Sequence, residues 1–460
     1  MTVTKANQSH FHWGYEMRCK HILSLHTSRS ALIGLLTGSA ALAAASLAQV
    51  QSAAAAATET VLHKFKGGND GANPHAGLIS DSTGALYGTT WRGGGTGCVG
   101  GLGCGTVFKL TPPAAGQTKW TKEILYRFQG GSDGEAPFAP LTLDSKGALY
   151  GTTLAGGGTF GPGTVFKLTP PAAGQTQWTE TILYRFTGAG GDGDGPEAGL
   201  IFDSKGALYG TTSAGGGPSN CGTVFKLKPP AAGLTQWTEK VLYRFAGTGD
   251  GCIPLYGRLV FDSEGALYGT TRGATNVIGT ASGTVFKLAP PAAGHMWTET
   301  VLYSFKGGSD GSQPWAGVIF DSKGALYGTT EAGGEGASCG TAGCGTVFKL
   351  KPPAAGLTLW TEKVLYRFQG TAGGDGQAPQ GGLVFDNTGV LFGTTFAGGN
   401  IQLGTVFKLK PPAAGLTQWT EKVLSDLPSG GANLIGDPLL CPANGGQPDC
   451  TLPPGGPNGG

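Results

Sequence analysis

The sequence predicts an all-β fold, a six-bladed β-propeller of four-stranded antiparallel blades whose ring is closed by an N-terminal strand. Three observations carry this expectation. The hexapeptide GTVFKL begins at Gly105, Gly163, Gly222, Gly283, Gly345 and Gly404, with spacings of 58, 59, 61, 62 and 59 residues. A near-constant period of this size marks a stacked or ring-closed repeat. Each copy holds four short runs rich in Leu, Ile, Val, Phe, Tyr, Trp and Thr, the residues that fit a pleated surface. Nothing of helical length and period lies between them. A β-solenoid is the rival, but its rungs are usually much shorter than this period.

The third copy shows the pattern. Its runs are 200–203, 207–212, 223–227 and 237–245. Asp203-Ser204-Lys205-Gly206 joins the first two as a tight hairpin, since Asp and Ser start turns and Gly accepts positive φ. Pro229-Pro230-Ala231-Ala232-Gly233 joins the last two as a surface loop, because a Pro pair cannot donate to a ladder. Apolar residues at adjacent positions in LIFD and TVFK fit a sheet covered on both faces, as a blade is by its neighbours. The Gly of each Tyr-Gly-Thr-Thr or Phe-Gly-Thr-Thr, such as Gly210, is expected to admit a neighbouring blade.

Residues 1–57 stand apart. Lys5, Arg18, Lys20 and Arg29 precede an apolar run from Ala31 to Ala48, and Ala53–Ala57 follows with A-x-A sites. This describes a secretory signal peptide and leading segment; the alternative is an uncleaved membrane anchor. Residues 59–65 (ETVLHKF) repeat the end of a fourth strand and are expected to pair in or beside the last blade. A ring left open would expose sheet edges. Residues 58–427 form one domain, since a single blade cannot cover its own faces. Residues 428–460 read as a Pro- and Gly-rich flexible tail without a membrane span.

Cysteines fall in pairs beyond Cys19. Cys98 and Cys104 share one loop, Cys339 and Cys344 the equivalent loop, and Cys441 and Cys450 the tail. Cys221 and Cys252 lie in two loop types that share a propeller face and could staple neighbouring blades. An even count behind an export signal argues for disulfides in an oxidising compartment, secreted, extracellular or periplasmic. Zinc is disfavoured by the spacing and the lack of nearby His. Net charge is +2 and only 13% of residues are charged, which argues against nucleic acid as a partner.

The candidate site lies on the face shared by the loops before each first strand and those between second and third strands. A repeated Asp-Gly places Asp70, Asp133, Asp192, Asp250, Asp310 and Asp375 in the first loop type. These are either turn residues or a candidate Ca²⁺ set. After the Pro of that loop the residue varies: His75, Phe138, Glu197, Leu255, Trp315, Gln380. After Gly-Thr-Thr it varies again: Trp91, Leu154, Ser213, Arg272, Glu331, Phe396. If both sets meet, His75, Trp91, Phe138, Glu197, Arg272, Trp315 and Glu331 form an aromatic and polar surface suited to a glycan or protein. Ordinary loop variation is the alternative. No G-x-S-x-G, H-E-x-x-H or P-loop is present, so no catalytic residue is assigned.

The unit GLIFDSKGALYGTT…GTVFKL, with LYRF before it, resembles the Gloeo-Verruco (GloVer) tandem repeat of secreted bacterial proteins. The resemblance covers about residues 61–427. It implies export and a propeller-like domain, and no established activity. The expectations are, in order, an exported binding module, a structural surface or matrix scaffold, and a hydrolase or lyase acting on an extracellular polysaccharide or lactone.

Overall fold

The computed structural model describes residues 15–20, 59–98, 101–158, 161–273, 282–292, 296–354, 356–371 and 374–427, together with 443–444 and 447–448. The expected leader run at 31–48 and the cysteine pair Cys441 and Cys450 lie outside these. No helix among the described residues is long and apolar enough to cross a membrane.

Six four-stranded antiparallel sheets follow one another as the blades of a propeller. Blade I is Ile79–Ser80, Leu86–Thr90, Thr106–Thr111 and Thr121–Arg127. Blade III is Ile201–Phe202, Leu208–Thr212, Thr223–Lys228 and Thr238–Arg244. Blade VI is Val384–Phe385, Leu391–Thr395, Thr405–Lys410 and Thr420–Asp426. Blades II, IV and V repeat the order, with first strands Thr142–Leu143, Val260–Phe261 and Ile319–Phe320. Each first strand has only two ladder residues, so the sheet is held chiefly by its second to fourth strands.

The core lies between blades. Tyr209, Val224, Leu242 and Phe245 of blade III pack on Leu259, Leu267, Phe286 and Leu288 of blade IV. The Phe after the fourth strand of blades I to V meets the Phe of the next GTVFKL edge-on, as in Phe128–Phe166 and Phe245–Phe286, with centroids at 5.1 and 5.2 Å. Edge-to-face packing suits the aromatic quadrupole, and each buried Phe contributes about 2–3 kcal/mol of transfer free energy.

Two glycines in every unit are fixed by this packing. A Cβ on Gly210 would lie 2.7 Å from Phe225 Cζ and 2.9 Å from Leu200 Cδ2. Both belong to the same blade, which corrects the expectation of a neighbouring blade. Phe225 pairs across from Gly210 and lies over it to reach the interface. The Gly opening GTVFKL lies against the backbone ending the second strand and, in blades I to V, against the Pro of the next entry loop as well. Gly222 has φ 92°, and a Cβ there would meet Pro254 of the blade IV entry loop at 2.9 Å.

Strand Glu59–Phe65 takes the place of a fourth strand before blade I. Leu62 and Phe65 pack on Leu86, Phe108 and Leu110, and Phe65 meets Phe108 at 5.1 Å. Its backbone ladder is with Tyr15–Lys20, whereas blade VI carries four strands of its own. The segment therefore covers blade I by packing, without joining the sheet of blade VI.

Three of the expected cysteine pairs are disulfides: Cys98–Cys104, Cys221–Cys252 and Cys339–Cys344. Cys221–Cys252 ties the 2–3 loop of blade III to the connection entering blade IV.

Candidate functional site

Antiparallel pairing puts the loops entering each blade beside the 2–3 loops. Short bridges confirm the placement: Ala72 with Arg92, Glu135 with Ala155, Cys252 with Gly273 and Ser312 with Ala332. The residue just before the Pro of each entry loop has positive φ in all six blades. It is Asn73, Ala136, Gly195, Ile253, Gln313 and Ala378, with φ between 50 and 65°. Positive φ is unfavourable for a residue with a Cβ, and most of all for a β-branched one such as Ile253. The turn drives the residue after each Pro toward the propeller axis.

There the variable residues meet. Phe138 of blade II stacks on Tyr256 of blade IV, with centroids 5.0 Å apart and planes inclined 26°. Tyr256 stacks in turn on Trp315 of blade V at 5.1 Å and 29°. Trp91 of blade I meets Phe138 edge-on at 5.6 Å. His75 lies against Phe138 at 3.6 Å and Tyr256 at 5.7 Å. The ends of this row are covered by cations: Arg92 lies 4.1 Å over Trp91, and Arg272 lies 4.8 Å over Trp315. Contact between non-adjacent blades is possible only at the axis. A hydrogen bond from Arg258 Nη2 to Leu141 O, at 2.8 Å, links blades IV and II there as well.

Polar groups flank the row. Ser213 Oγ donates to Glu197 Oε1 at 2.7 Å, and the Tyr256 hydroxyl also bonds Glu197. Burial pushes the Glu197 carboxyl up, while these hydrogen bonds act the other way. Gln380 Nε2 donates to Glu331 Oε1 at 2.8 Å. Arg272 pairs with Glu331 Oε2 at 3.9 Å and donates to Gln313 Oε1 at 3.2 Å. Burial holds the His75 imidazole neutral, its pKa lowered to about 3. His75 Nδ1, Trp315 Nε1 and Arg272 Nε are buried atoms without a hydrogen-bond partner among the described residues.

Sequence-expected residues thus fall into two groups. His75, Trp91, Phe138, Glu197, Arg272, Trp315 and Glu331 are gathered at one end of the axis. Phe138 and His75 are closed over, at 8% and 5% exposure, and the remaining five are half-buried. The six Asp residues are not brought together. Each caps its own loop and accepts from the preceding fourth strand. Asp133 accepts from Gln129 N and the Tyr126 hydroxyl, and Asp250 accepts from Ala246 N and the Tyr243 hydroxyl. At the first interface His63 and Lys122 contact Asp70 instead, at 3.2 and 2.8 Å. Among the described residues, the one group of three metal-ligating side chains is Cys98, Cys104 and Glu135, and its two sulfurs form a disulfide.

Tyr256 and Arg258 were not singled out from sequence. Alignment of the copies marks both. The run from Pro254 to Leu259 is one residue longer than Pro196 to Leu200, and Tyr256 stands where other copies have Ala76, Ala139, Ala198 and Ala316. The Ala-to-Tyr exchange supplies a phenol at the axis, and the extra residue, Arg258, supplies a guanidinium.

These features define a six-bladed repeat propeller with an aromatic row across one end of its axis. The chain belongs to the Gloeobacter/Verrucomicrobia repeat family, whose model matches residues 24–282, 95–342 and 217–424. No match was found among curated proteins. Similar solved structures include PorZ, a surface component of the type-IX secretion system of Porphyromonas gingivalis. Its TM-score is 0.42 and identity 15%, over 77% of this chain and 42% of that one. Another is a GH93 α-L-arabinofuranosidase of Fusarium graminearum, with TM-score 0.41 and identity 11%, over 76% of this chain and 92% of that one. The chain thus spans less than half the length of the PorZ chain it matches. These distant likenesses do not bear on what this chain binds.

Proposed function

We propose that the protein is an exported binding module that takes a glycan on the axial aromatic row. The observation that carries this reading is the run Trp91–Phe138–Tyr256–Trp315 with a guanidinium over each end. The rings stack on one another and on the guanidiniums, so a sugar would meet the apolar ring edges along the row. The half-buried Arg272, Glu331 and Glu197 are suited to its hydroxyls. Because Phe138 and His75 are covered, contact falls to the half-buried Trp91, Tyr256, Trp315 and Arg272. The three disulfides agree with an oxidising, extracellular destination.

Glycan-array screening followed by calorimetry tests this. Trp315→Ala or Tyr256→Ala should weaken binding of a glycan hit roughly tenfold or more, with the melting profile checked in parallel. Binding unchanged by both exchanges would contradict the reading. A hydrolase is the second reading. It is favoured by Glu197, whose burial favours the protonated acid, on the same face as Glu331, held beside Arg272. It requires release of reducing ends from a polysaccharide, lost in both Glu197→Gln and Glu331→Gln.

A further inference from the structure

The opposite face of the propeller carries a different pattern. There the third and fourth strands are joined by Pro-Pro-Ala-Ala-Gly loops, and the residue after Gly changes between copies. It is Gln117 and Gln175 in blades I and II, Leu234, Leu357 and Leu416 in blades III, V and VI, and His295 in blade IV, where Met296 follows just before the Trp. Leu234, Leu357 and Leu416 are 66–67% exposed, Met296 is 74% exposed, and Leu359 adds a second leucine in blade V at 79%. The side chain at this position does not serve the fold. Gln117 N and Gln175 N bond Ala114 O and Ala172 O at 2.9 Å, and Leu234, Leu357 and Leu416 make the same bond at the same length. Three blades therefore display an apolar tip where two blades show that Gln suffices, and blade IV adds the exposed Met296 one residue further on.

Charge changes with them. Where Leu stands, the residue before the Pro pair is Lys228, Lys351 or Lys410, and the fourth strand carries Lys240, Lys363 or Lys422. Blades I, II and IV have Thr111, Thr169 and Ala289, and Glu123, Thr181 and Thr300, at these positions. All six lysines are exposed. Lys363 Nζ donates to Thr417 O at 3.2 Å, one residue from Leu416, so ammonium and apolar tip sit side by side across blades. No acidic residue occurs between Lys228 and Trp237, Lys351 and Trp360 or Lys410 and Trp419, whereas Glu239, Glu362 and Glu421 each precede the fourth-strand lysine and are half-buried.

We propose that this face docks peripherally on an anionic lipid surface, the leucine and methionine tips entering the headgroup–acyl boundary and the lysines meeting lipid phosphates. Separated apolar tips suit a fluid that closes around each one better than a single rigid protein surface. Exposed ammonium groups give charge complementarity, worth about 1 kcal/mol each near an anionic bilayer. The arrangement leaves the axial row facing away from the bilayer.

The test is flotation of the full chain with phosphatidylglycerol/phosphatidylcholine vesicles against pure phosphatidylcholine, with hydrogen exchange of the bound state. Binding should require the anionic lipid and weaken as salt rises. Leu234→Gln/Leu357→Gln/Leu416→Gln, which copies the residue of blades I and II, should reduce it roughly tenfold or more with unchanged circular dichroism. Exchange protection should fall on residues 234–236, 356–359 and 415–418 and spare 116–119 and 174–177. Equal binding to neutral vesicles, insensitivity to the triple exchange or protection elsewhere would each overturn the proposal. So would equally tight capture by soluble polyglutamate, which would mark an acidic polymer as the partner. All comparisons use chains differing only in the loops, because the apolar run at 31–48 is common to them.

Discussion

One acidic position shows how repeat copies diverge at the level of single residues. Glu180, Glu239, Glu299, Glu362 and Glu421 occupy one fourth-strand site, and each has a buried Oε1 without a hydrogen-bond partner. Burial, and then the Asp of the loop entering the same blade, pushes the first four up to about 7 and Glu421 up to about 8. The remaining neighbours are Arg185, Arg244, Arg367 and Lys306, which oppose the shift. Blade I has Lys122 there, and the result is an ion pair with Asp70. A carboxyl raised above its unfolded value of about 4.3 holds a proton in the fold that the unfolded chain has released. Its favourable contribution is complete below about pH 4 and is lost as pH rises through about 7 to 8. Asp203, Asp262 and Asp321 act oppositely. Burial alone raises them, but hydrogen bonds outweigh it and hold them low, so their contribution is lost only in acid. Thermal unfolding should therefore occur several degrees higher at pH 5.5 than at pH 8.5. Glu239→Gln/Glu299→Gln should narrow that gap by raising the alkaline value. A flat or reversed profile in calorimetry would contradict the assignment. The Lys-for-Glu exchange was readable in sequence, but its meaning needed the Asp of the entry loop, 52 residues away in sequence, which only the packing brings beside it.

Among the elements, the strand is where prediction from sequence succeeded most fully. Turn chemistry at Asp203–Gly206 and Pro229–Gly233 delimited the blade correctly, because Asp, Gly and Pro act locally. Asp203 Oδ1 accepts from Lys205 N and Ala207 N, as a tight turn requires. What local chemistry could not reveal was which surface a residue would touch. Gly210 was read as making room for another blade, and it makes room for Phe225 of its own. Tyr256 was overlooked because it stands one place beyond the variable position after the Pro, where most copies carry Ala. The strand Glu59–Phe65 was recognised as a detached fourth strand, and its packing on Phe108 gives it a measurable role. Phe65→Ala should cost about 3–5 kcal/mol locally, by cavity formation over blade I. Hydrogen exchange should show the loosening first in residues 86–90 and 106–111. Unfolding that begins instead at blade VI would place the weak seam elsewhere.

At the scale of the whole molecule, six similar blades give a scaffold, and departures from similarity give the faces their character. The gathered row at the axis draws on blades I, II, IV and V, so no single unit contains the site. Disulfides should reinforce the wheel unequally. Cys221–Cys252 spans 31 residues and should contribute about 3–4 kcal/mol on chain-entropy grounds. Cys98–Cys104 and Cys339–Cys344 span 6 and 5 and should contribute about 2 kcal/mol each. Urea unfolding of paired Cys→Ser variants checks the order, and equal losses would argue against the inter-blade staple. The most direct test of the closed wheel is a double-mutant cycle on Phe138 and Tyr256, which lie in blades II and IV and can meet only across the axis. Phe138→Ala, Tyr256→Ala and the double variant should give a coupling energy of about 0.5–1.5 kcal/mol in urea unfolding. Strict additivity would mean that the two rings do not touch, and the shared axial site would be refuted.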